Sequence, residues 1–113
     1  MYGEIRIGEK TVPMLALASA DIYYKQIFRE DPVKIQASGN YDAADAINLF
    51  MRMGFVMAKY AELKSSAEMR KLNEDNFTDW LDQFDRGEFY SAIEDIKRVY
   101  EGQKVGTSES KNA

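Results

Sequence analysis

Between Asp42 and about Lys64 the chain carries one long run of mostly apolar, helix-forming residues, "DAADAINLFMRMGFVMAKYAELK". At about 100° per residue, Asp45, Asn48, Arg52, Lys59 and Glu62 fall on one narrow strip, and nearly everything else is apolar. A helix that apolar must be buried on most of its circumference, so it is expected to be the central helix of a bundle. Gly54, with Ala43, Ala58 and Ala61, lies opposite the polar strip and would let another helix approach closely. Phe55 and Val56 fall within or beside the strip. They either pack under neighbouring loops or form an exposed apolar spot that binds a partner.

The rest of the chain arranges itself around that helix. "YGEIRIGEKTVPM" alternates Ile5, Ile7 and Val12 with Glu4, Arg6 and Thr11, and Gly8-Glu9-Lys10 separates the two runs, which predicts a short β-hairpin over about residues 2–14. Pro13 cannot donate to a ladder, so the second strand is expected at an edge or to end there. From Ser19 the period changes: Ala20, Tyr23, Tyr24, Ile27 and Phe28 follow helical spacing. Asp31-Pro32 stops that helix and suits the start of a short one, "PVKIQA". "SGN" at 38–40 is a break. "SSAEMRKLN" reads as a polar connection, partly helical, after which Asn73 or Asp75 can cap the next helix.

In "NFTDWLDQFD", Phe77, Trp80, Leu81 and Phe84 take positions i, i+3, i+4 and i+7, while Asp79 and Asp82 face away. "DRG" at 85–87 is expected to turn the chain. A last helix over Glu88–Glu101 would carry Phe89, Ala92/Ile93, Ile96 and Val99/Tyr100 on its stripe, a Glu94–Arg98 pair on its exposed face, and Gly102 as its stop. Residues 1–102 thus read as one mainly α domain, a compact bundle of about four to five helices with an N-terminal hairpin. Residues 103–113 have the composition of a disordered polar tail.

A chain of 113 residues, 45% hydrophobic, suits a single domain. With no cysteine there is no disulfide framework, thiolate zinc site or thiol catalysis. With no histidine the commonest general base, metal ligand and pH switch are gone as well. A non-enzymatic role without metal or cofactor is therefore expected. The net charge of −4 argues against nonspecific binding to nucleic acid or anionic membrane. Arg52 and Lys59 interrupt the most apolar run, so no membrane span is expected, and "MYGEIRIGEK" lacks a secretory h-region.

Acidity is concentrated in residues 73–101, where nine acids face only Arg86, Lys97 and Arg98. An EF-hand placed with Gly87 sixth puts Asp82 first, but Phe84, Arg86 and Ile93 then stand where oxygen ligands are needed. Asp79 and Asp82 could be a carboxylate pair, yet nothing separates their pKa values, and solvated acids early in a helix are accounted for by its dipole. Asp79, Asp82 and Asp85, with Phe55 and Val56, are left as candidate partner-binding residues. The acidic face either serves solubility or steers a basic, helical partner.

Several stretches together resemble the tail assembly chaperones of long-tailed bacteriophages and prophages of Gram-positive hosts. They are "GEIRIGEKTVPM", "ASADIYYKQIFREDPV", "NLFMRMGFVMAKYAEL" and "NFTDWLDQFDRGEFYSAIEDIKRVYEG", and they cover nearly the whole chain. The most specific parts are "YKQIF.ED" and the tandem "F.DWLDQF…FY.AIEDI…Y". In the family a glycine often follows the Ile-Phe pair; here Arg29 stands there, which could lengthen the first helix. The resemblance implies binding of the tape measure protein, which is kept soluble while tail tube subunits polymerise around it. It also implies self-association, a frameshifted longer form that recruits tail tube protein, and residence in the host cytoplasm but not in the mature virion. The alternative is a small acidic phage adaptor or anti-host factor that binds a basic cellular protein.

Overall fold

In a computed structural model, described over residues 1–103, the chain is mainly helical with a two-stranded antiparallel hairpin at its N-terminus. The tail expected from 103 onward lies outside the described residues except for Gln103. Strands β1 (Tyr2–Ile7) and β2 (Lys10–Leu15) pair in the register Tyr2–Leu15 through Ile7–Lys10. The turn is only Gly8-Glu9, with Gly8 at φ +63°, the conformation that a two-residue hairpin loop asks of its first residue. Lys10 therefore belongs to the strand, and β2 runs past Pro13 to Leu15 rather than ending there.

Helix α1 (Ala20–Phe28) buries Ala20, Tyr23, Tyr24, Ile27 and Phe28, as their spacing predicts. It is not lengthened by Arg29, which instead adopts the left-handed conformation at φ 60° and donates its N–H to the Lys25 carbonyl. Asp31 caps α2 (Pro32–Ala37), accepting from the N–H groups of Val33 and Lys34, with Pro32 in the first turn, where a missing donor costs nothing.

Helix α3 (Ala43–Leu63) is delimited by an Asp42/Asp45 capping box and by Lys64 in the left-handed region. It is about 31 Å long at 1.5 Å per residue and packs against β2 and against helices α1, α2, α4, α5 and α7. Residues Met53–Ala58 are all buried, so the middle of α3 has no solvent face. The polar strip is interrupted there: Arg52 and Lys59 lie seven residues apart with nothing charged between them. Gly54 does admit a close neighbour. A Cβ there would lie 3.2 Å from Cδ1 of Ile96 on the last helix.

The second half differs from expectation in detail. Helix α4 (Ser66–Met69) is a single turn that buries Met69, and α5 (Glu74–Leu81) starts from an Asn73/Asn76 capping box. The expected turn at 85–87 is the start of α6 (Arg86–Ser91), capped by Asp85. The expected single last helix is divided at Ala92, after which α7 (Ile93–Tyr100) begins. At the division the Ala92 N–H bonds back only three residues, to Phe89, and Ser91 Oγ donates to the Gly87 carbonyl at 3.1 Å. Both local bonds compete with a regular helical ladder. Arg98 pairs with Asp95 at 3.0 Å, not with Glu94. Seven helical segments result among the described residues; the surplus over four or five comes from α4 and this division.

Two seams hold the helices together around α3. On one, Phe28, Phe55, Phe77, Trp80, Phe84 and Phe89 form a chain of ring contacts with centroids 5.0–6.3 Å apart. On the other, tyrosine hydroxyls bridge elements. Tyr100 of α7 donates to Asp21 of α1 at 2.7 Å and accepts from Gln36 of α2 at 3.2 Å. Tyr24 donates to Glu30, whose carboxylate also takes Arg52 at 2.6 Å.

Candidate partner-binding surface

The five candidate residues separate into three groups. Phe55 is 0% and Val56 1% exposed, so neither forms an apolar surface spot. Phe55 is covered by Phe28, Phe77 and Trp80, and Val56 lies beneath the corner of Leu15, Leu17 and Tyr23. Their position beside the polar strip misled because that strip is absent along the middle of α3. Asp85 is exposed but has a structural task, accepting the Glu88 N–H at 3.1 Å as the cap of α6.

Asp79 and Asp82 are exposed, and the helix dipole does not account for them. That explanation covers Glu74 and Asp75, which occupy the first turn of α5. Asp79 instead sits in the last turn and Asp82 is the C-cap, at the negative end of the same helix. Among the described residues no lysine or arginine pairs with either. Two carboxylates are thus held where the backbone repels them, with no internal compensation.

Next to this segment lies a groove of about 520 Å³ that no sequence pattern indicated. One wall is Lys10–Pro13 of β2, the floor is the end of α3 with Ala58 and Ala61, and the far wall is Trp80, Gln83 and Phe84. Ala58 and Ala61, expected to admit a neighbouring helix, leave open space here instead. Lys59 on the rim is engaged with Glu62 at 3.4 Å. Gln83 and Trp80 belong to the same short segment as Asp79 and Asp82, which adjoin the far wall in sequence without lining the groove, whereas Lys10 and Lys59 do line it.

A second, polar hollow of about 270 Å³ lies among Tyr24, Glu30, Asp45, Asn48 and Arg52. Its single cation, Arg52, is already neutralised by Glu30, which leaves no free charge for an anion. Burial pushes the Tyr24 phenol up to about 12, and burial together with the Asp21 carboxylate does the same for Tyr100. Both phenols are neutral structural bridges at ordinary pH, not acid–base groups.

No group of three or more acidic side chains among the described residues is placed to hold a metal ion, and no described helix is long and apolar enough to cross a membrane. The groove and the adjoining segment thus form a surface of mixed apolar, basic and acidic character. Comparison with protein-family models, with curated proteins and with solved structures finds no match for this chain.

Proposed function

We propose that this chain is a non-enzymatic tail assembly chaperone of a long-tailed bacteriophage or prophage, binding the tape measure protein and keeping it soluble during tail tube polymerisation. The observation that carries the reading is the pair of carboxylates without a cationic partner, Asp79 and Asp82, on the segment that walls a groove of mixed apolar and polar lining. They lie on the segment that bears the most specific part of the resemblance. Charge kept at an unfavourable helix end, unpaired, is accounted for by a partner that supplies the cation. Arg29 adds support: it takes the left-handed conformation, which favours glycine, at the position where the family often has one. In this reading the protein works in the host cytoplasm and is absent from the virion. It self-associates, and a frameshifted longer form brings in tail tube protein.

Co-expression with the tape measure gene of the same genome tests it. A soluble complex of the two proteins is expected. A tape measure protein that is equally insoluble with and without this chain would remove the proposal. The acids alone would also suit an adaptor acting on a basic host protein; a gene position between tail tube and tape measure genes favours the chaperone.

A further inference from the structure

Four consecutive residues of β2, Lys10 to Pro13, line the groove. Successive strand side chains point to opposite faces, so a hollow against one face would meet only alternate residues. Contact with all four, and with none of β1, means that the groove runs along the outer edge of β2.

The register determines which backbone groups face it. Met1 and Ala16 exchange two hydrogen bonds, each 2.8 Å, and the pairing continues through Gly3–Met14, Ile5–Val12 and Ile7–Lys10. By antiparallel alternation these are the hydrogen-bonded pairs, so Thr11, Pro13 and Leu15 turn their backbone groups outward. Pro13 has no N–H, which leaves Thr11 as the outward donor along the groove and the Thr11 and Pro13 carbonyls as acceptors; Leu15 lies beyond it, at the corner of Tyr23, Val56 and Tyr60. Among the described residues no third strand takes them.

Resting on the chaperone reading for the identity of the client, we propose that this edge and groove take an extended, basic segment of the partner protein by strand addition. One or two large apolar side chains enter between Ala58, Ala61, Trp80 and Phe84. The volume of about 520 Å³ suits them, lying within the roughly 300–1,000 Å³ of ordinary ligand sites. Charge selects the occupant. Lys59 in the lining is offset by Glu62, and against the remaining cation, Lys10, stand Asp79 and Asp82 on the segment of the far wall, so the balance is negative and calls for a basic partner. A second copy brings instead a net charge of −4 and its own acidic segment. Two copies of β2 would also meet at Pro13, where neither can donate. The chain's own residues 104–113, "KVGTSESKNA", contain one large apolar side chain, Val105, too few to fill the groove.

Trp80 is the only tryptophan and lines the groove, so its fluorescence reports occupancy. The probes are two tryptophan-free peptides of equal positive charge: a decapeptide alternating lysine and valine around a central phenylalanine, and a helix-forming peptide of lysine, alanine and leucine. The first should give a saturable shift in Trp80 emission, and the second should bind at least about tenfold more weakly. Thr11→Pro removes the outward donor without touching the pairing to β1; it should weaken binding by about tenfold with the thermal midpoint unchanged. Pro13→Thr restores a donor and should strengthen binding several-fold; it decides the matter if Thr11→Pro does not fold. Equal binding of the two peptides, indifference to the edge substitutions, or no saturable change at about millimolar peptide overturns the proposal. A tape measure complex that survives Thr11→Pro sinks strand addition but leaves the chaperone reading standing. Failure of the wild-type complex sinks that reading, while the peptide titration still decides the groove.

Discussion

The two flanks of α3 are held by different physics. Toward α5 and α6 the contacts are rings on rings, with Trp80 touching Phe55, Phe84 and Phe89. Toward α1, α2 and α7 rings also meet α3, Tyr100 against Phe50 and Tyr23 against Tyr60, but hydroxyls tie these three helices to one another, with Tyr100 between Asp21 and Gln36. Apolar burial is nondirectional and scales with area, while a hydrogen bond is directional and contributes only about 1 kcal/mol net. The aromatic flank should therefore be costly to damage but indifferent to pH, and the tyrosine flank cheap to damage but sensitive to alkali. The groove opens on the flank whose walls need no polar partner of their own.

Trp80→Ala should have the largest effect, a loss of about 3–5 kcal/mol that is the same at every pH where the protein folds. A thermal midpoint that barely moves would refute the placement of Trp80 as a buried anchor. Tyr100→Phe comes next, at about 1 kcal/mol, because it strips partners from two groups that water can still reach. Its loss should depend on pH. The folded pKa of Tyr100 lies near 12, above the usual value of 10.0. The protonated phenol is thus favoured by folding, so its contribution is complete below about pH 10 and lost as pH rises toward 12. Tyr24 behaves in the same way. Denaturant unfolding across that window should show the gap between wild type and Tyr100→Phe closing; a constant gap would mean that burial and Asp21 do not hold the Tyr100 phenol above its usual value in the folded state. The smallest effect belongs to Asp82→Asn, which relieves repulsion at the end of α5 and should raise the midpoint by about 2 °C. A fall in the midpoint would show that Asp82 has a stabilising partner after all.

Much of this was legible where a local rule acts alone. The stripe of α1, the Asp31-Pro32 start of α2 and the limits of α3 follow from spacing and capping chemistry, which also narrows the cap of α5 to Asn73 or Asp75, of which Asn73 serves. The break at Ala92 was not legible. Alanine is the best helix former, and the stripe from Phe89 to Tyr100 is continuous across it. Sequence leaves Phe55 and Val56 open between burial and surface, because a helical projection sums over the whole length of α3 and hides a gap in its polar strip; the structure buries both. The groove could not be read at all, since its walls come from residues 10–13, 58–62 and 80–84, brought together only by tertiary packing. The acids were legible as charge; their conflict with the helix dipole became visible only once α5 was seen to end at Leu81.

The caps of α3 bear on how the chain folds. The Asp42/Asp45 box and the left-handed Lys64 come from the helix's own residues, so its limits do not depend on docking partners. At 21 residues it also exceeds the roughly 12–15 at which an isolated helix becomes viable in water. Such a segment is suited to form early and to collect the hairpin and α1 around it, as a nucleus that the later helices join. Damage inside α3 would then slow folding, whereas damage in α5 or α7 would mainly hasten unfolding.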